Sequence, residues 1–149
     1  MTTSCCPGYI QAVRKHMPEV APFVSSTRTP MHYAAVLAAE KNPGTKTVFI
    51  GQCVAKRVEG REDPAVDMVL TFEEIGALFA AAETDLAKCP ESSLGEGASG
   101  DARRYAVTGG VAAAVRAVVR ERVEVTPVQV NGLSLKGLRQ LRGYATGAC

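Results

Sequence analysis

Apolar residues along the chain switch between two spacings, and the switches mark its elements. Tyr9, Ile10, Val13 and Met17 recur every three to four positions, which predicts a helix from Pro7 to about Met17. Pro7 suits its first turn, and the stretch Pro18–Pro22 breaks it. The segment 25–29 (Ser-Ser-Thr-Arg-Thr) is a polar loop. Pro30 then opens a second helix, Met31–Lys41, closed by Asn42-Pro43-Gly44. Lys46–Gly51 is a short β-branched apolar run and predicts a buried strand. Gln52–Pro64 is charged and polar and reads as a loop; Val66–Leu70 reads as a second strand. Thr71-Phe72-Glu73-Glu74 is a capping box, predicting a helix to about Glu83.

Beyond it, Cys89–Arg103 is rich in Gly, Ser and Glu and predicts a long loop. Thr108-Gly109-Gly110 opens a helix to about Arg122, and Val123–Val130 predicts a third strand, with Pro127 placing it at an edge or a bulge. Leu133–Arg142 fits a short amphipathic helix, and Gly143–Cys149 a terminal loop. Strands alternating with helices place the chain in the α/β class, as a small β-sheet flanked by helices. Three strands make a thin sheet, as expected of part of a larger domain.

Composition narrows the partners rather than the fold. The 149 residues favour one domain, and 46% hydrophobic with 21% charged residues is ordinary for a globular chain. A net charge of +2 gives no case for nucleic acid or a membrane surface. No apolar run reaches the roughly 20 residues of a membrane span, and no secretory signal opens the chain. Five cysteines, an odd number without a signal peptide, argue against a disulfide framework and for a reducing, cytoplasmic setting.

The cysteines carry the candidate chemistry. The doublet Cys5-Cys6 stands before Pro7-Gly8 at a helix start, where exposed N–H groups favour a thiolate. Neighbouring side chains rarely reach one metal, so one of the pair suits a ligand and the other a free thiol. Cys53 follows the first strand at its carboxyl end, where open α/β sheets place their sites. Lys56, one turn later, can direct its ammonium at an anion held there. The plainer alternative is a small buried hydrophobe for each Cys and a solvated Lys, and no C-x-x-C spacing speaks against it.

The order of landmarks decides between them. Thr3-Ser4-Cys5-Cys6-Pro7, Pro18-Glu19, Ser25-Ser26 before Thr29-Pro30, Cys53-x-x-Lys56-x-x-Glu59, Asp67, and Val107-Thr108-Gly109-Gly110-Val111 together resemble the catalytic domain of iron-only hydrogenases over nearly the whole chain. The first and fourth runs are the specific ones. The resemblance implies a two-lobed domain holding the H-cluster, a 4Fe-4S cubane joined through a cysteine sulfur to a di-iron unit with CO, cyanide and a dithiolate. It implies Cys6 and Cys53 as cubane ligands and Cys5 as the thiol relaying protons to the dithiolate amine. Lys56 would hydrogen-bond an iron-bound cyanide, Ser25 would lie on the proton path, and Pro30 and Met31 would line the cofactor. Glu59 would orient groups around the site. Electrons would pass to ferredoxin or a similar electron-transfer protein, or to further iron–sulfur domains of the same parent chain.

Departures are equally visible. Gly51-Gln52 precedes Cys53 where many relatives have Met-Pro or Gly-Pro, Tyr9 replaces a common Trp, and Met31 stands where Gln is usual. The family's third cysteine motif has no counterpart, and Cys149 matches neither of its ligands. The resemblance therefore implies residues 1–149 as a partial catalytic domain, inactive alone, with no cluster stably bound by two thiolates where four are the norm. The alternative is a non-catalytic relative, sensory or cluster-assembling. Cys89 reads as a surface thiol, and His16 and His32 as surface or partly packed side chains. Arg116, Arg120 and Arg122 read as a solvated helix end, and the resemblance implies that Thr108-Gly109-Gly110 packs close to the cluster, a place of tight backbone approach.

Overall fold

In the computed structural model, residues 1–93, 97–119, 126–130 and 133–147 are described. They fall into two compact units, Met1–Cys89 with Arg142–Cys149, and Pro90–Leu141.

The first unit begins with helix α1 (Pro7–His16). Pro7 presets the first turn, Cys6 caps it, and Arg14, Lys15 and His16 complement the dipole at its end. Its i, i+4 stripe is the one the spacing predicts: Tyr9, Val13 and Met17 are buried, joined by Val20 from a 3₁₀ turn at Pro18–Phe23. Burying side chains of this size contributes about 1.5–3 kcal/mol each. Helix α2 (Pro30–Lys41) is capped by Thr29 and buries Met31 and Ala35 against Val66, with Phe49, Ala65 and Val69 around them.

Strands β1 (Val48–Ile50) and β2 (Met68–Leu70) pair in parallel, Val48 with Met68, Phe49 with Val69 and Ile50 with Leu70. Only one face of the pair packs inward, through Phe49 and Val69. The expectation of a buried β1 is therefore corrected: side chains alternate across a strand, and Val48, Ile50 and Met68 remain exposed on the other face.

Two parallel strands require a crossover, and the predicted loop 52–64 supplies it as helix α3 (Lys56–Glu62). This helix carries no apolar stripe, so periodicity could not find it. Gly60 lets it lie close on β2: a Cβ there would stand 2.6 Å from Val69 Cγ2. Helix α4 (Phe72–Ala81) starts with the predicted capping box, both reciprocal bonds formed.

In the second unit the long loop holds one helical turn, α5 (Gly100–Arg103), capped by Ser99. Helix α6 (Gly110–Val119) begins at the predicted glycines; 120–122, the rest of the expected helix, lie outside the described residues. The predicted third strand is not found at 126–130, where Pro127 lacks a donor and no partner strand pairs, while 123–125 lie outside the described residues. Helix α7 (Leu135–Thr146) is longer than expected and replaces most of the predicted terminal loop; from Arg142 onward it belongs to the first unit. Within that first unit Arg142 holds the end of the helix, through an ion pair to Glu19 at 2.6 Å and a hydrogen bond to the His16 carbonyl. Gly147, with φ of 69°, ends it in the left-handed conformation that glycine adopts freely.

Candidate functional site

The N-terminal run is fastened to the loop after the 3₁₀ turn. Thr2 bridges Val24 in parallel, with Thr2 N–H donating to Phe23 O at 2.7 Å and Ser25 N–H to Thr2 O at 2.9 Å. Ser4 Oγ donates to Thr27 O, and Tyr9 OH to Thr2 Oγ1 at 2.8 Å. The Thr3–Cys6 run and the Ser25 loop, twenty residues apart in sequence by numbering (5 to 25), thus lie side by side. Ser25 Oγ donates to Thr27 Oγ1 and accepts the Thr27 N–H. It lines a cleft of ≈ 320 Å³ together with Ser4, Thr27, Thr29 and Glu59.

Cys6 is exposed at the cap of α1, and the Tyr9 N–H donates to its sulfur at 3.4 Å. Cys5 is half-buried, its Sγ 3.8 Å from Thr3 Oγ1. Cys53 is half-buried between β1 and α3, and its carbonyl accepts the Lys56 N–H. Pro30 and Met31 form the first residues of α2, with Met31 in the core beside Ala35 and Val66. Cys89 is exposed, as its sequence context predicts; Cys149 lies outside the described residues.

Lys56 does not extend into solvent. Its ammonium lies 2.8 Å from Glu59 Oε2 and 5.7 Å from the centre of the Phe49 ring. Glu59 Oε1 accepts the hydroxyl of Thr29, the cap of α2. This link across thirty residues of sequence is invisible to motif reading.

A second tie was also missed. Buried Asp63 caps the end of α3, accepts the Ala65 N–H at 3.0 Å and faces His32 Nδ1 at 2.8 Å. Burial pushes the Asp63 carboxyl up, but the Ala65 N–H, the His32 ring and the Arg28 charge more than offset it and hold it below the usual carboxylate value. A depressed carboxylate contributes stability above its unfolded pKa and loses it as pH falls through the folded value. Unfolding free energy is therefore expected to drop on acidification below about pH 4, and Asp63→Asn to make that acid limb shallower. Denaturant titrations at stepped pH check this; an unchanged limb in the variant contradicts it.

Among the described residues no three His, Cys, Asp or Glu side chains gather as a metal site. Among the described residues, the separated Cys6 and Cys53 thiols and the half-buried Lys56 ammonium are the groups that bear on such a site, with Cys5 beside Cys6. Their chemistry fits part of an iron–sulfur ligand set, where Cys thiolates are the rule, and a cation suited to an anionic ligand.

A thiol at a helix cap and a second at the carboxyl end of a parallel strand define an α/β domain with cysteine chemistry at its helix and strand ends. The sequence profile of the iron only hydrogenase large subunit, C-terminal domain, matches residues 1–148, and the chain belongs to that family. The large subunit of the periplasmic [Fe] hydrogenase of Nitratidesulfovibrio vulgaris is 31% identical over a 163-residue alignment, covering 95% of this chain and 37% of the relative. The cytosolic Fe-S cluster assembly factor NAR1 of Eremothecium gossypii is 31% identical over 86 residues, 56% of this chain and 19% of that one. The solved [FeFe]-hydrogenase HydA1 from Chlamydomonas reinhardtii superposes with a TM-score of 0.61 at 25% identity, over 89% of this chain and 38% of its own. The chain thus spans little more than a third of the length of each of these two hydrogenases. Its fold is that of part of the [FeFe]-hydrogenase catalytic domain.

Proposed function

We propose that these residues form part of a hydrogenase large subunit that interconverts H₂ with protons and electrons. Electrons would be exchanged with ferredoxin or another electron-transfer protein, or with further iron–sulfur domains of the same polypeptide. The observation that carries this reading is Lys56, held half-buried one turn after Cys53 with its ammonium fixed in place. An iron–sulfur protein with a cubane alone has little use for a fixed cation beside a ligand; a cluster bearing anionic groups has.

When bound, the H-cluster would supply the H₂ chemistry, its cubane taking up the electrons. Cys6 Sγ and Cys53 Sγ would hold the cubane. Lys56 Nζ has three donors, and Glu59 uses one of them, so the others are available to an anion. Cys5 Sγ would carry the proton, and the Ser25 hydroxyl, on the loop paired with the N-terminal run, would pass it on.

Two of the usual four thiolates come from assigned positions, so the 149-residue chain alone is expected to hold no stable cluster and to be inactive. The test is anaerobic reconstitution with iron, sulfide and the di-iron unit, followed by H₂ evolution and infrared spectroscopy. No turnover and no CO or cyanide bands are expected; turnover by this chain alone contradicts the prediction.

A second reading is favoured by the likeness to the cluster assembly factor NAR1: a non-catalytic iron–sulfur protein. In a matured polypeptide carrying the remaining ligands, bands of iron-bound CO and cyanide support the hydrogenase. A cubane without them supports the second reading. Among the described residues no helix is long and apolar enough to cross a membrane. We propose the cytoplasm as the compartment, on the odd cysteine count, although the Nitratidesulfovibrio relative is named periplasmic. Cell fractionation decides it.

A further inference from the structure

A Lys and a Glu three residues apart on a helix form an ordinary pair, worth a few tenths of a kcal/mol when solvated. The pair in α3 differs in two respects. Its side chains are only 12% and 16% exposed, and its carboxylate has a second partner on another helix. Glu59 Oε2 takes the Lys56 ammonium while Oε1 takes the Thr29 hydroxyl. Each oxygen is committed to a different group, so the carboxylate cannot turn without losing one of them.

Thr29 is itself fixed. It is buried in extended backbone at the cap of α2, and its Oγ1 accepts the His32 N–H at 3.5 Å. With that lone pair engaged, its hydroxyl proton points elsewhere, and Glu59 receives it. The Phe49 ring confines the ammonium from a second side.

We propose that Glu59 and Thr29 are positioning residues for Lys56: the hydroxyl that caps α2 locks the carboxylate, and the carboxylate holds the ammonium in the orientation an anionic ligand near Cys53 requires. The α2 cap and the α3 cation therefore act as one unit. The anion is the part that rests on the hydrogenase reading; the locking does not.

The test measures the lock without any cluster. Reductive methylation of the full 149-residue chain, followed residue by residue with mass spectrometry, reports how available each lysine amine is. Lys46 and Lys88, both 83% exposed, serve as references. Lys56 is expected to react far more slowly than either. Thr29→Val, which keeps the shape and removes the hydroxyl, is expected to speed Lys56 by about tenfold, the lower end of the scale of one charge-assisted hydrogen bond. Glu59→Gln should do the same, and Thr29→Ser should restore the slow rate.

Should Thr29→Val unfold the chain, all lysines accelerate together, and Glu59→Gln beside Thr29→Ser then decides. A Lys56 rate that is the same in the parent chain and in Glu59→Gln overturns the proposal. In the matured longer polypeptide, Glu59→Gln is further expected to shift the cyanide infrared bands. Altered labelling with unshifted bands leaves the lock standing and overturns the hydrogenase reading of what Lys56 faces.

Discussion

Cys53→Ser is expected to abolish iron–sulfur loading in a polypeptide that carries these residues together with the remaining ligands. Serine keeps the size of the side chain but replaces a soft, readily ionised thiol with an alcohol that stays protonated at neutral pH. Loss of an outer partner alone costs a metal site about 10–100-fold in affinity, and loss of a direct ligand from a four-thiolate set should exceed that. Iron per chain, measured after anaerobic reconstitution, should fall by more than about tenfold. Cys6→Ser should match it, because Cys6 offers the same chemistry from the cap of α1. Cys89→Ser should change nothing, since Cys89 is exposed in a turn and bonds only the Asp85 carbonyl among the sulfur contacts described. Undiminished iron in Cys53→Ser would remove Cys53 from the ligand set and with it the link between Lys56 and a cluster.

Gly110→Ala is expected to be the most damaging substitution in the second unit, against the usual trend. Alanine in place of a helical glycine ordinarily stabilises by up to about 1 kcal/mol. At Gly110 the added Cβ would stand 1.9 Å from the Arg104 carbonyl oxygen and 3.1 Å from that of Tyr105. These are backbone atoms and cannot swing aside, so the start of α6 must separate from the turn before it. The expected cost is about 2–4 kcal/mol, read as faster hydrogen exchange of the α6 amides. Gly76→Ala in α4 is the control: nothing lies within 4 Å of its Cβ, and it should stabilise. Unchanged exchange in Gly110→Ala would mean that the close approach is not needed. The close neighbour of Gly110 is the chain's own 104–105 turn; the resemblance implies an approach of this run to the cluster, a different contact.

Elements whose signals act within one turn were legible. Pro7 and Pro30 at first turns and the Thr71–Glu74 box each mark a helix start from a handful of neighbouring residues. The stripe Tyr9, Val13, Met17 is likewise local, being set by helix pitch alone. Helix α3 was not legible, because five of its seven residues are charged, leaving no apolar stripe, and it forms as the crossover between two parallel strands. The extension of α7 was hidden for a related reason: the Arg142–Glu19 pair that holds it joins residues far apart in sequence.

The candidate site divides along the same line. The sequence by itself determined the family, the cysteine pair at the start of α1 and the Cys53-x-x-Lys56-x-x-Glu59 spacing, since a motif is a property of neighbours along the chain. Tertiary structure alone decided that Thr2 and Ser4 lie against the Ser25 loop, that Asp63 faces His32, and that Thr29 reaches Glu59. Each of these joins positions more than twenty residues apart by number, and a hydrogen bond of about 3 Å between them exists only after the βαβ crossover and the turn before α2 have brought their backbones together.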